Sequence, residues 1–308
     1  MAGGLYFMGH VSMDRIENVN GVRVQPGGAA LYAAMAARTL VDNVYLISVV
    51  GRDYKFMDIL KRFHRRYVKV FNMPSTKFTV RYNERWEASY VRVDYGAGAR
   101  ISASMVPTSL MGSGSIIHLS PMNPRKVERI IDRVREASPK TMISVNTWMG
   151  YIKGGGNRRI LKDIALKADF FILNDSEAKA LTRTDSISTA IRLLKARMLI
   201  VTLGSLGAII SREDGEIQMV PALSSPVLKV VDTTGAGDVW CGAFIAAYKL
   251  TNDLMKSVTA ASIISGIKCS GWGFTKIQDL RFKDVDDVIE YVIGLREGGL
   301  QRRISDYS

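Results

Sequence analysis

Val231-Asp232-Thr233-Thr234-Gly235-Ala236-Gly237-Asp238-Val239-Trp240-Cys241-Gly242-Ala243-Phe244 is the stretch that decides the fold. Its Thr-Gly-Ala-Gly core can pack tightly and expose successive backbone N–H groups. Trp240, Phe244 and Ala247 then fall on one face of a helix. A helix N-terminus carries unpaired donors and a partial positive charge, so it attracts anions. Asp238 sits in that first turn. An aspartate there has two readings: a partner for the helix dipole, or, beside an anion hole, a base for an attacking hydroxyl. A base next to a phosphate cradle is what phosphoryl transfer to an alcohol requires.

Working outward, short apolar runs alternate with helical patterns. Leu5–Met8, Val44–Val49, Ser115–Leu119, Met142–Val145, Phe170–Leu173 and Leu199–Leu203 read as strands. Gly27–Leu40 and Pro124–Arg135 read as helices, the second with Val127, Ile130, Ile131 and Val134 on one face. Three more helices are expected over 236–249, 253–268 and 284–295. Thr76–Tyr82 and Ala88–Val93 form an expected hairpin, and Ala208–Val220 a second one turning at Asp214-Gly215. Strands alternating with helices argue for an α/β chain with a mainly parallel sheet covered on both faces.

The 308 residues, 47% hydrophobic and 23% charged, exclude a disordered or collagen-like chain. Two cysteines, Cys241 and Cys269, exclude a disulfide framework and a multi-cysteine zinc site. The chain start lacks signal-peptide character, and the apolar stretch from Met198 to Ile210 is broken by Gly204 and Gly207. A cytoplasmic protein without membrane partners is therefore expected. The net charge is +13, and basic residues are densest from Arg52 to Lys69. Phe56, Ile59, Leu60 and Phe63 recur there at helical spacing, so the basic residues read as the solvated face of an amphipathic helix. No nucleic-acid motif accompanies them, and a nucleic-acid partner is not expected. The sequence holds no Gly-Lys, hence no Walker A loop, and no G-x-G-x-x-G, although glycines cluster in Gly96-Ala97-Gly98, Gly154-Gly155-Gly156 and Gly271-Trp272-Gly273. His10, His64 and His118 are isolated, and none is assigned to a metal.

Asp232-Thr233-Thr234-Gly235-Ala236-Gly237-Asp238 resembles the C-terminal signature of the ribokinase-like sugar kinases, the phosphofructokinase B family. Weaker motifs follow in the family's order. Gly9-His10-Val11-Ser12-Met13-Asp14 resembles its first strand, ending in an Asp that holds acceptor hydroxyls. Pro26-Gly27-Gly28 resembles the Gly-Gly motif of the acceptor pocket, and Val50-Gly51-Arg52-Asp53 the V-G-x-D element. Asn174-Asp175-Ser176-Glu177 resembles N-x-x-E, which organises magnesium-bound water. Thr202-Leu203-Gly204 with Gly207 resembles the nucleotide element T-L-G-x-x-G.

The resemblance implies a ribokinase-like three-layer fold over residues 1–308 as one domain. A small β-sheet lid would come from segments near 11–25 and 76–93. The implied reaction moves the γ-phosphoryl of ATP·Mg²⁺ to a hydroxyl of a sugar, sugar derivative or cyclitol. Asp238 would be the base, and Gly235, Ala236 and Gly237 the anion hole. Asn174, Glu177, Thr202, Gly204 and Gly207 would serve the nucleotide, with Glu177 reaching magnesium through water. Asp14, Gly27, Gly28 and Tyr32 would hold the acceptor. Asp232 and Thr234 would ligate a monovalent cation, K⁺, with Gly271 in the same loop, and the lid offers a homodimer surface.

Two departures concern the acceptor: Leu31-Tyr32 stands where the family offers an asparagine, and Ser144-Val145-Asn146-Thr147-Trp148 replaces its D-P-N-x-R-like element. Free ribose is therefore not the expected acceptor. A nucleoside is the alternative to the sugar or cyclitol, with Phe78, Tyr82, Trp86 and Tyr90 available to stack on a base. A non-catalytic nucleotide- or sugar-binding regulatory protein is a third reading.

Overall fold

The computed structural model describes residues 3–154, 156–222 and 228–294. Gly155 of the triple-glycine loop and residue 295, the last of the third expected helix, lie outside the described residues.

The chain begins with β1 (Leu5–Met8), β2 (Ser12–Asn18), β3 (Gly21–Gly27), α1 (Ala29–Ala37) and β4 (Val44–Gly51). Next come α2 (Met57–Leu60), β5 (Val68–Phe71), β6 (Thr76–Tyr82) and β7 (Ala88–Asp94). Then follow β8 (Ile116–Leu119), α3 (Pro124–Ala137), β9 (Met142–Asn146), α4 (Met149–Ile152), α5 (Asn157–Lys167) and β10 (Phe170–Asn174). After these come α6 (Asp175–Thr182), α7 (Ile187–Leu193), β11 (Met198–Thr202), β12 (Gly207–Arg212) and β13 (Ile217–Pro221). The described chain ends with α8 (Ala236–Thr251), α9 (Leu254–Cys269) and a helix over 285–294.

Nine strands form one sheet in the order β13-β12-β11-β10-β9-β8-β1-β4-β5. Its strands run parallel from β11 through β5, and β12 and β13 close one edge as an antiparallel hairpin. The second sheet, β3-β2-β6-β7, contains both segments expected to make the lid. Its inner pair, β2 and β6, is parallel, with Ser12 opposite Thr76 and Glu17 opposite Arg81. Two hydrophobic layers flank the large sheet. One packs α1, α8 and α9 against Phe7, Leu46 and Ile172, and the other packs α3, α5 and α6 against Met8, Ile117 and Val145. Among the described residues no helix is long and apolar enough to cross a membrane.

The long helix expected over the basic segment is absent. Ile59, Leu60 and Phe63 are buried as their spacing suggested, but the helix is the single turn α2, and Val68 and Val70 pair with β4. The first strand does not reach Asp14: β1 stops at Met8, and Asp14 lies within β2, inside the 11–25 segment expected for the lid.

Helix α1 is buried from Ala30 to Ala37, and α8 is buried from Val239 to Ala247. Gly242 is where they meet, because a Cβ there would overlap the Ala33 carbonyl. Overpacking of this kind typically costs about 1–3 kcal/mol. Gly242→Val is expected to lower the melting temperature, and an unchanged melting curve would show that the two helices can part freely.

Candidate active site

The carboxyl ends of parallel strands are where open α/β sheets leave a crevice for ligands. Here the segments after β9, β10 and β11 meet the start of α8 beneath the lid, around a cavity of about 420 Å³. Asp14, Gly28, Tyr32, Asn174, Glu177, Thr202 and Thr234 line it, together with the Gly235–Asp238 turn. Gly27, Gly204, Gly207 and Asp232 are not on its wall.

The turn at Gly235 has one structural requirement that fixes its sequence. Gly235 adopts φ 72°, and a Cβ there would also strike the Tyr32 ring. Only glycine accommodates both constraints comfortably. As N-cap of α8 it brings no side chain to bond the first-turn N–H groups. The Ala236 N–H donates to the Thr233 carbonyl at 3.1 Å, so the three anion-hole donors expected from sequence narrow to those of Gly235 and Gly237. Asp238 is in the first turn of that helix, and Asn146 Nδ2 donates to its Oδ1 at 3.1 Å. Burial pushes Asp238 up to about 6, against the lowering effect of the Asn146 bond. The sequence reading placed Asn146 only in a departing acceptor motif. A polar side chain at the end of a buried parallel strand was the available signal.

Asp14 is 4% exposed, and its Oδ1 finds no hydrogen-bond partner among the described residues. Burial raises its carboxyl to about 7, against a smaller lowering from the nearby Ser12 hydroxyl and Gly28 N–H, and the negative charges of Asp232 and Asp238 raise it further. The glycine pair makes room for it: a Cβ on Gly27 would overlap Asp14 Oδ2. Gly28, at φ 99°, approaches the His10 carbonyl too closely for any side chain. Asn174 and Glu177 form a reciprocal capping box on α6, Glu177 N to Asn174 Oδ1 at 2.8 Å and Asn174 N to Glu177 Oε2 at 3.1 Å. The box aims a buried carboxylate, raised to about 7 chiefly by burial, at the cavity. Gly204 and Gly207 instead shape the turn from β11 to β12, where a Cβ on Gly207 would strike the Val220 carbonyl. Asp53 braces the base of the lid, accepting from Ser75 N at 2.7 Å and pairing with Lys77 at 2.9 Å.

The place expected for a monovalent cation holds a protein ammonium. Lys268 Nζ lies 2.8 Å from the Asp232 carbonyl oxygen and 3.3 Å from Asp232 Oδ2, with both side chains 0% exposed. Asp232 also accepts from Gln25 Nε2 at 3.0 Å, Thr234 N at 2.9 Å and Gly273 N at 3.1 Å. Burial alone would raise its carboxyl, but Lys268 and these bonds hold it below the usual carboxylate range. With its oxygens so engaged, this donor set does not fit an added cation. Gly273, not Gly271, supplies the loop contact. The Tyr32 hydroxyl accepts from Gln25 at 3.3 Å, so Tyr32 presents the cavity with a wall while its polar end serves this network.

Aromatic rings make up much of the rest of the cavity wall. The Tyr90 ring lies 4.8 Å from Trp148, and Trp148 5.4 Å from Tyr151, with Tyr95 stacked 6.4 Å beyond. All four line the cavity, as do Phe78 and Tyr82, whereas Trp86 does not.

Fold and site together are those of a phosphotransferase with an alcohol acceptor. The chain belongs to the pfkB family of carbohydrate kinases, whose profile matches residues 5–277. It is 25% identical over 261 residues to a cytidine kinase of Thermococcus kodakarensis, across 82% of this chain and 91% of that protein. Its fold is similar to that of a nucleoside kinase from Burkholderia thailandensis in complex with ADP-inosine: TM-score 0.75, 19% identity, 94% of this chain and 96% of that one. It is also similar to a ribokinase from Giardia lamblia, with TM-score 0.76, 19% identity and coverage of 94% and 99%.

Proposed function

We propose that the chain is an ATP-dependent nucleoside kinase that phosphorylates a hydroxyl of the nucleoside's sugar. The observation that carries this reading is one cavity lined both by the carboxylates Asp14, Glu177 and Asp238 and by the mutually packed rings of Tyr90, Trp148, Tyr151 and Tyr95. Asp14 would hold sugar hydroxyls and the rings would stack on the base. A free sugar or cyclitol, the first choice from sequence, would leave these rings without a flat partner. Similarity to a cytidine kinase and a nucleoside kinase supports the same ranking.

In this reading the hydroxyl oxygen attacks the γ-phosphorus, Asp238 takes the hydroxyl proton, and the bond between β- and γ-phosphates breaks to release ADP. The Gly235 and Gly237 N–H groups stabilise charge on the transferring group, a role worth about 2.7–4 kcal/mol per donor elsewhere. A divalent ion such as Mg²⁺, when bound, neutralises phosphate charge. Among the described residues no three His, Cys, Asp or Glu side chains converge on one metal. A phosphate-borne ion touching Glu177 through water fits what is present, because Mg²⁺ keeps much of its water shell.

ADP release should be measured over nucleosides, free ribose and other sugars, and cyclitols. A nucleoside is expected to give the highest kcat/KM. Base stacking is worth about 1–3 kcal/mol, so Tyr90→Ala should raise the nucleoside KM without altering ATP binding. A sugar or cyclitol outperforming every nucleoside would overturn the assignment.

A further inference from the structure

We propose that the Lys268 ammonium is a built-in cation that supports the anion loop, so that turnover needs no exchangeable monovalent ion. The residue acts through the loop and is a positioning residue. The inference rests on reading residues 233–237 as the phosphate cradle.

A fully buried lysine demands a physical reason, since taking an ammonium out of water costs several kcal/mol unless it is paired and hydrogen-bonded. Lys268 finds that reason in Asp232, its one carboxylate partner among the described residues: one contact to its carbonyl and one to Oδ2. The ammonium also lies 5.3 Å from the centre of the Tyr32 ring, whose face attracts cations. That same ring is what packs against Gly235. The charge therefore sits one side-chain layer beneath the turn that would receive the phosphates.

Anchoring α9 to the loop does not explain the residue. The Cys269 carbonyl already accepts from Val231 N at 2.8 Å and Asp232 N at 3.2 Å, so the backbone makes that connection without the lysine. What Lys268 adds is charge. Asp14, Glu177 and Asp238 all face the cavity, and a nucleotide brings more negative charge. The ammonium offsets Asp232, which would otherwise stand as an unpaired buried anion behind the cradle. Held ionised by Lys268, Asp232 accepts from Thr234 N and Gly273 N and so orders both backbone segments.

The test begins with the unaltered enzyme. Initial rates of ADP release at saturating ATP and acceptor are expected to be equal in potassium chloride and tetramethylammonium chloride at matched ionic strength. Lys268→Ala, which opens space for an ion, should lose about 10²-fold in tetramethylammonium, as for loss of a preorganised charge-stabilising group, and regain much of it in potassium or ammonium. Lys268→Met fills the space without charge and should fall as far with no recovery. Melting curves and ATP titrations establish that each variant is folded and binds nucleotide. Potassium stimulation of the unaltered enzyme would overturn the proposal, as would a fully active Lys268→Met. So would a folded Lys268→Ala that no cation restores, which would mark the lysine as structural. Failure of the cradle reading itself looks different: Asp238→Asn would then remain active.

Discussion

Asp238→Asn should fold, bind ATP and lose about 10²–10⁴-fold in turnover, the usual worth of a positioned general base. The substitution keeps the shape and the Asn146 neighbour but cannot take the hydroxyl proton. The pH profile supplies an independent check. Asp238 is raised to about 6, so below that pH the base carries a proton and turnover should fall, while above it the base is free. In Asp238→Asn the residual activity should lose this acid limb. Asn146→Ala removes the bond that lowers the carboxyl's pKa, so it should move the limb to higher pH. Turnover of Asp238→Asn at the native rate on the best acceptor would remove the residue from the chemistry.

That prediction was accessible from sequence because its residues are contiguous: turn, base and helix lie within 232–244, and local physics dictates their arrangement. The strands were legible for a related reason. Parallel strands buried on both faces read as unbroken apolar runs, and Phe170–Asn174 and Met198–Thr202 fall within a residue of expectation. Periodicity failed at 52–69, where four apolar positions at helical spacing fit one turn of helix followed by a tight chain as well as they fit a long helix. Long-range partners were invisible. The Asn146 bond to Asp238 spans 92 residues, and Tyr90 meets Trp148 only because the lid folds over the segment after β9. Lys268 left a trace that went unread: a cation at helical spacing from the apolar Ala261 and Ile264 of α9 falls on the buried face and needs a buried partner. The motif resemblance placed a cation near Asp232. The chain places an amine there, on a different element 36 residues away.

Asp14→Asn should trade function against stability, and the trade has a definite pH signature. For function, an ionised Asp14 accepts from acceptor hydroxyls, and hydrogen bonds to a charged partner are worth about 1.5–3 kcal/mol. The variant should therefore lose roughly 10–150-fold in kcat/KM for the acceptor, with ATP binding unchanged. For stability the sign reverses. Asp14 in the folded chain is raised from 3.8 to about 7, so the folded state holds its proton more tightly than the unfolded state does. Such a group contributes stability that is fully present below its unfolded value and is lost as pH rises through the folded one. At pH 8 the native chain keeps a buried carboxylate whose Oδ1 has no hydrogen-bond partner among the described residues. Asparagine removes that charge without changing the side chain's size. The variant should melt higher than the native protein at pH 8, and the gain should shrink as pH is lowered from about 7 toward 4. A melting temperature that falls by the same amount at both pH values would show that Asp14 is a structural partner of the lid. A variant with native acceptor kinetics would take it out of the acceptor site.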